Sequence, residues 1–406
     1  MALIVQKYGG TSVSDAERIK NVAQHIIDRR NGGDQLVVVV SAMGDTTDKL
    51  IKLAYQVTEP PSEREFDALL STGELVTSTL LTMALRHMGY EAISLSGAQA
   101  GIKTDANHSR ARIVDIDPTR ILRELEQGRI VIVAGFQGIT DDMDVTTLGR
   151  GGSDTTAVAL AASLKAAVCE RYTDVEGIYT ADPHWVIEAR RLREIGYEEM
   201  LELAAYGSKV MHPRAIELAG EFNVPILVAS SFTDSPGTLI HGEVSMEVRN
   251  KMRSIAHDLD VAKIMVVGVP DRPGIAAVIF GPLAEAGISV DTIVQNASID
   301  NITDLTFTVT KSDLVKAMIV VEPIARSIGA RECVSDARLG TISIIGTGMQ
   351  NTPGYAARMF STLSKLGINI QLITTSEIRL TCIIEESRVE DAVRALHQAF
   401  QLDLEG

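Results

Sequence analysis

The chain has 406 residues, 45% of them apolar and 22% charged, with a formal net charge of −15 at pH 7. That length suits two or three domains with real cores, and the acidic balance lacks the basic footprint of phosphate-backbone binding, which excludes nucleic acid as an expected partner. "MALIVQKYGG" has no charged segment leading into an apolar run, and no later apolar stretch approaches the roughly 20 residues of a membrane span. A soluble, unexported, cytoplasmic protein with no membrane attachment is therefore expected. Its cysteines, Cys169, Cys333 and Cys382, match no metal spacing and read as buried reduced thiols.

In chain order, "ALIVQKY" and "QLVVVVS" are short, β-branched and apolar on consecutive positions, as in strands buried on both faces of a parallel sheet. Between them Ser14 and Glu17 read as a capping box. Ile19, Val22, Ala23, Ile26 and Ile27 recur at helical spacing, and Asn31-Gly32-Gly33 ends the run. One βαβ unit results. The alternation continues through the helical "FDALLSTGELVTSTLLTMALRHMG", the strand-like "EAISL", "RIVIVAGF" and "AAVCERYTD", a helix from about Lys209 to Phe222, and the strand-like "VPILVASS". This pattern predicts a layered α/β domain with a largely parallel sheet, whose ligands sit at the carboxyl ends of the strands.

From Ser235 the texture turns polar and weakly periodic, so a linker is expected within "SPGTLIHGEVSMEVRNKMRSIAHDLD". An internal repeat follows. "DRPGIAAVIFGPLAEAGISVDTI" aligns without a gap with "NTPGYAARMFSTLSKLGINIQLI": Pro273-Gly274 recurs as Pro353-Gly354, Phe280 as Phe360, Leu283 as Leu363 and Gly287-Ile288 as Gly367-Ile368, each pair 80 positions apart. Each copy reads strand, Pro-Gly turn, helix, Gly turn, two strands and a helix, the order of a small ferredoxin-like fold.

The chemistry concentrates at two glycine turns. In "TTLGRGGSDTTAVALA", Gly149, Gly151 and Gly152 precede a helix whose first-turn amides have no intrahelical partner, a ready anion site; a tight turn alone is the alternative. No Walker A loop occurs, and "GRGGSD" lacks dinucleotide-fingerprint spacing. Arg150 adds a planar fork suited to a carboxylate. In "QKYGGTSV", Lys7 ends an apolar strand before Gly9-Gly10, either as a working charge or as a surface lysine that snorkels. Backbone donors, hydroxyls and one point charge are what holding a transferring phosphoryl group requires.

"KYGGTSV", "SAMGDTTD", "STGEL", "AGFQG", "TTLGRGGSDTTA", "YTDVEGIYTADP" and "YGSKVMHPRA", in this order and before two ACT-like modules, resemble the bacterial aspartokinases. The resemblance runs from Ala2 to the last helix and implies an amino-acid-kinase catalytic domain (1–245), a linker (246–260) and two ferredoxin-like βαββαβ ACT modules (261–335 and 336–406). The implied reaction is ATP-dependent phosphorylation of the side-chain carboxylate of L-aspartate to 4-phospho-L-aspartate, the first step toward lysine, threonine and methionine, with Mg²⁺ accompanying ATP and no dedicated protein metal site.

Carried onto matching positions, Lys7 would stabilise the phosphoryl group, aided by amides at Gly9, Gly10 and Gly152. Ser41, Thr47, Glu74, Arg150 and Ser153 would hold aspartate, Glu74 taking the ammonium and Arg150 a carboxylate. Thr173, Asp174, Tyr179, Asp182 and Lys209 would line the nucleotide site with Lys7, Gly9 and Gly10. Asp154 is placed near the Lys7 charge or the metal, with a simple first-turn Asp favoured by the helix dipole as the alternative. A carboxylate ionised near pH 7 needs no general base to attack, so the lack of a catalytic His or Cys pattern fits; His212 reads as structural. Two positions depart from the family: His184 stands where relatives often carry Arg, and Ala229 where many read Arg.

The ACT-like pair implies feedback by lysine, threonine or both. Asp271, Gly274, Gln295, Asn369 and Ile370 are the expected effector residues, with Asp271 meeting an ammonium or serving only as a turn residue. Feedback needs two states of different effector affinity. Pairing of modules between chains implies a homo-oligomer, or a hetero-oligomer with a C-terminal fragment if Met246 or Met252 serves as an internal start. Kinases of other amino acids or nucleotides, which generally lack the paired tail, and a non-catalytic amino-acid sensor are the rival readings. No fused dehydrogenase is expected after the second module.

Overall fold

The structure is a computed structural model that describes residues 2–208, 210–242, 252–296, 301–349 and 352–404. It divides into two compact units: Met1–Tyr179 with Arg191–Ala205 and Lys209–Met246, and Thr180–Arg190 with Tyr206–Ser208 and Glu247–Gly406.

The first unit is built on an eight-stranded sheet in the order Glu194–Ile195, Thr238–Ile240, Ile226–Ser230, Val168–Thr173, Leu3–Tyr8, Gln35–Val40, Ile130–Ala134, Ala92–Leu95. Neighbours pair in parallel except Ile226–Ser230 with Thr238–Ile240, which are antiparallel. Val37 to Val40 are all fully buried, as a strand covered on both faces requires. The register sets Lys7 beside Val39 on one side and Arg171 on the other. Thr238–Ile240 lies in the polar, weakly periodic stretch ahead of the expected linker, where it closes the antiparallel pair.

Helix Ala16–Asn31 lays Ile19, Val22, Ala23, Ile26 and Ile27 on the sheet, as its periodicity predicts. Its cap is not the expected Ser14. Asp15 accepts from the Arg18 amide at 2.9 Å, because Ser14, at φ −66° and ψ −22°, already has helical angles after the short turn Gly10–Val13 and cannot be the extended cap residue. The helix expected from Lys209 begins at Pro213, with His212 as its cap. Helix Glu63–His87 is long and apolar enough to cross a membrane by composition; half its most apolar window is buried in this unit, against the sheet and helix Ala16–Asn31.

A second, four-stranded sheet, unheralded by any sequence pattern, consists of the short strands Ile113–Ile116, Ile102–Thr104, Gln137–Ile139 and Val145–Thr147. Fully buried Asp67 of helix Glu63–His87 ties this sheet down, accepting from the Thr147 amide at 3.0 Å, the Thr147 hydroxyl at 2.5 Å and the Ser109 amide at 2.9 Å.

In the second unit the first repeat copy has the expected βαββαβ order, whereas the second ends on its last helix, Val389–Ala399, and takes its remaining strand from before the first copy, so the two are nested. Two long strands, Ser254–Pro270 and Glu332–Ile345, each serve both modules. The first module uses the second half of one and the first half of the other, with Ile293–Gln295 and Ile302–Val309; its core joins Ile264, Val266, Ile279, Leu283 and Phe307. The second module uses the remaining halves, with Leu372–Thr375 and Arg379–Glu385, around Ile255, Ile342, Ile344, Leu363 and Leu396. Ladder irregularities between Asp258, Val261 and Lys263 mark the crossover. Residues 254–258, expected to be linker, are thus the edge strand of the second module, pairing Ser254 with Ile345 and Asp258 with Thr341.

Thr180–Arg190 joins this unit through its hydrogen bonds. Thr180 Oγ1 meets buried His397 Nε2 at 2.9 Å, the Ile255 amide donates to the Thr180 carbonyl at 2.9 Å, and Arg394 Nε donates to the Trp185 carbonyl at 2.7 Å. A chain fragment starting at Met252 is expected to protect the amides of Thr341–Ile345 from hydrogen exchange, and one starting at Val261 to lose that protection while the first module keeps its own; equal protection in both would refute the nesting.

Candidate active site

Parallel pairing brings the carboxyl ends of Leu3–Tyr8, Gln35–Val40, Ile130–Ala134 and Val168–Thr173 to one edge of the sheet, and the turns leaving them meet there. Gly10 lies so close to the turn after Gln35–Val40 that a Cβ would sit 2.8 Å from the Ala42 carbonyl oxygen, and the Gly44 amide donates to the Gly10 carbonyl at 3.1 Å. Helix Gly152–Ser163 starts at the same edge: a Cβ on Gly135, just past Ile130–Ala134, would touch Ser153 at 3.0 Å. Its cap, Gly151, has φ +70°, and a side chain there would run into His212 at 2.3 Å. Only glycine fits that position. His212 is thereby a wall under the loop, as its structural reading expects.

A charge cluster occupies this edge. Lys7 Nζ lies 2.6 Å from Asp154 Oδ1, each side chain only 7% exposed, and Arg171 Nε lies 3.3 and 3.2 Å from the two Asp154 oxygens. Burial, the largest influence on both groups, pushes the Asp154 carboxyl up and the Lys7 ammonium down. Two cations overcome burial at Asp154 and hold it at about 2. Lys7 stays below its ordinary value, with Asp154 pulling it up and Arg171 pushing it further down. The bland reading of Lys7 as a surface lysine is excluded, and Asp154 is an ion-pair partner rather than a first-turn Asp alone. Removing one member of such a buried pair costs about 3–5 kcal/mol.

Glu74, on helix Glu63–His87, is 3% exposed; Oε1 accepts from the Ala42 amide at 3.1 Å while Oε2 is buried without a hydrogen-bond partner. Burial raises its carboxyl to about 7 against the Ala42 bond and the Lys7 charge, which lower it. Its open oxygen suits a cationic ligand. Ser41, whose amide donates to the Tyr8 carbonyl, and Thr47, in the first turn of Thr46–Val57, follow the second strand; Ser153 is buried in the first turn of its helix. Arg150 is exposed and has no hydrogen bond or ion pair among the described residues.

Thr173 ends its strand with Oγ1 bonded to the Asp174 carboxylate at 3.1 Å, and the Tyr179 hydroxyl donates to Glu176 at 3.3 Å. Asp182 lies in the second unit, where the His184 amide and Nδ1 both reach its Oδ1 at 2.9 Å. Lys209 lies outside the described residues, as does Met246. Ala229 is buried among Tyr8 and Tyr172, on the sheet face opposite Lys7.

In the second unit, Asp271 is exposed with its amide donating to the Asn301 carbonyl at 2.8 Å, and Gly274, φ +91°, caps helix Ile275–Glu285. Gln295 ends an edge strand at the same end of the module, since Thr303 bonds the Asn296 carbonyl and pairs with Val269. Asn369 and half-buried Ile370 precede Leu372–Thr375; Val294 of the first module and Leu372 of the second share a cluster with Val261, Leu339 and Ile383.

The sequence pattern of the amino acid kinase family matches residues 2–230, and that of the ACT domain matches 264–323 and 342–400. The chain is 53% identical to the aspartate kinase of Pseudomonas putida over 405 residues, covering 99% of this chain and 98% of that protein. It belongs to the aspartate kinase family. The aspartokinase of Pseudomonas aeruginosa is likewise 53% identical over 406 residues, 99% of this chain and 98% of that protein. Among solved structures, Escherichia coli aspartokinase III in complex with aspartate and ADP (R-state) superposes with a TM-score of 0.79 at 25% identity, over 98% of this chain and 100% of that one. The same enzyme in complex with lysine and aspartate (T-state) gives 0.77 over 98% and 99%. As an aspartate kinase, the chain is a phosphotransferase with a carboxyl group as acceptor, and it carries the family's regulatory ACT pair.

Arg171 and Asp67 were not anticipated. For Arg171 the signal was legible, because a charged pair, Glu170-Arg171, interrupts an otherwise buried strand. Glu74 gives a pH test. Its carboxyl sits above the ordinary 4.5, so the unfolded chain releases its proton first and stability falls as pH rises from there to about 7. The Tm advantage of Glu74→Gln over wild type is expected to widen from pH 5 to pH 8, by the equivalent of about 2–3 kcal/mol; a constant difference would contradict the raised carboxyl.

Proposed function

We propose that this aspartate kinase transfers the phosphoryl group of ATP to the side-chain carboxylate of L-aspartate at the Lys7–Asp154 edge, forming 4-phospho-L-aspartate for lysine, threonine and methionine synthesis. The observation that carries the reading is a buried lysine at a glycine-walled strand end, 2.6 Å from its carboxylate, near a glutamate with one unsatisfied oxygen. Lys7 and the amides at Gly9, Gly10 and Gly152 neutralise the phosphoryl oxygens. Glu74 takes the substrate ammonium through Oε2, Arg150 takes a carboxylate, and Ser41, Thr47 and Ser153 complete the aspartate pocket. Thr173, Asp174, Tyr179 and Lys209 hold the nucleotide. The aspartate carboxylate arrives ionised, so positioning and charge neutralisation carry the reaction.

Among the described residues no group of three or more His, Cys, Asp or Glu could hold a metal, and Asp154 is taken up by two cations. Mg²⁺ supplies charge neutralisation when it arrives on the ATP phosphates, held mainly by phosphate oxygens and water.

Lysine, threonine or both act as feedback effectors at Asp271, Gly274, Gln295, Asn369 and Ile370. The lysine complex of the Escherichia coli relative supports this reading. The enzyme works in the cytoplasm as a homo-oligomer paired through its ACT modules, or with a C-terminal regulatory fragment.

ATP consumption with hydroxylamine present to trap the acyl-phosphate tests the reaction: hydroxamate is expected with aspartate and not with glutamate, and less of it when lysine, threonine or both are added. No hydroxamate from folded protein would overturn the assignment. Lys7→Ala is expected to lower kcat by roughly 10²-fold or more, as loss of one preorganised donor does; wild-type turnover would remove Lys7 from the mechanism.

A further inference from the structure

Nothing in the aspartate kinase reaction as described above calls for Arg171, yet it sits in the centre of the site. It is the register partner of Lys7 on the neighbouring strand, its side chain is 11% exposed, and Nε lies within 3.3 Å of both Asp154 oxygens. Its Nη1 is buried with no hydrogen-bond partner.

Strand pairing does not need a cation there. Val168–Thr173 is already paired on both sides, with Leu3–Tyr8 and Ile226–Ser230, and Cys169, one residue pair along on the same face, shows that an uncharged side chain packs there. A buried guanidinium with an unused donor is an expensive way to fill space that an apolar side chain could fill. Charge counting supplies the reason. Lys7 and Asp154 alone make a neutral pair in which the lysine field is cancelled by a carboxylate at 2.6 Å. With Arg171 the cluster carries a net positive charge, and Asp154 no longer belongs to Lys7 alone.

We propose that Arg171 is a positioning residue of the phosphoryl-transfer centre, sharing the Asp154 carboxylate so that Lys7 meets the transferring phosphoryl group with its charge uncancelled. The inference rests on the assignment of Lys7 to that group. The groups facing Lys7 are Asp154 from helix Gly152–Ser163, Arg171 and Cys169 from the adjacent strand, and Glu74 from helix Glu63–His87; His212 faces Asp154. Cys169, pushed up to about 12 chiefly by burial, stays neutral through the working range. Arg171 lowers the Lys7 ammonium, so its removal moves deprotonation of Lys7, and the alkaline loss of kcat, to higher pH.

The test compares Arg171→Met, Arg171→Gln and Arg171→Lys in the full-length enzyme, with kcat and KM for both substrates followed from pH 6 to 10. Met and Gln both remove the charge, and Gln keeps a hydrogen bond to Asp154, so the test survives if the Met variant does not fold. Either neutral variant is expected to lose about tenfold in kcat, the size of a modest charge effect, with KM within about twofold and the alkaline limb raised by about half a unit. Arg171→Lys is expected to restore most of kcat and the wild-type limb. Neutral variants with wild-type kcat and an unmoved limb, even if their Tm falls, would overturn the proposal and leave Arg171 an anchor of the fold. Failure of the underlying assignment looks different, because Lys7→Ala would then turn over like wild type.

Discussion

One buried carboxylate held between two cations is the constraint on which the catalytic unit depends. Asp154 reaches Lys7 only because its helix begins at the carboxyl edge of the parallel sheet, and the helix begins there only because Gly151 can take a left-handed turn against His212. Lys7 reaches Asp154 only because its strand carries it to the same edge in register with Arg171. Charges this deep survive only when paired. The cluster therefore couples the chain's first strand to a helix and a strand far along the sequence, and loss of Asp154 leaves two cations buried without a counter-charge.

Around that cluster the remaining polar groups divide into those satisfied by the protein and those left open. Asp67 spends both oxygens on Thr147, Ser109 and His108 and so fixes the strand that leads into the glycine loop. Glu74 spends one oxygen on Ala42 and leaves the other unused. The contrast separates a carboxylate that builds the site from one suited to receive a ligand. In the regulatory unit, nesting makes two strands common to both modules, so a shift at the crossover between Asp258 and Lys263 is felt by both cores.

Much of this was legible in the sequence because burial leaves a periodic trace. Consecutive β-branched residues marked Gln35–Val40, and the 80-position repeat marked both modules and the order of their elements. Short strands such as Ile102–Thr104 and Val145–Thr147 left no trace, since three residues are too few to show a period. Ser14 misled because a capping box specifies residue types and not backbone angles, and a preceding turn had already used Ser14. Ser254–Asp258 was hidden because a repeat alignment starts where both copies agree, and the borrowed edge strand lies before the first copy. Lys7 and Glu74 were recognised from motifs, whereas the sharing of Asp154 by Lys7 and Arg171 needs two strands in register beside a helix start, which only the fold reveals.

A double-mutant cycle between Lys7 and Asp154, read as unfolding free energy, tests the central claim most directly. Asp154→Asn leaves two cations buried together, and adding Lys7→Met relieves one of them, so the double variant is expected to be more stable than Asp154→Asn, with a coupling of about 3 kcal/mol. Additive losses would mean that the two groups do not depend on each other, and the carboxylate would no longer be the constraint that organises the site.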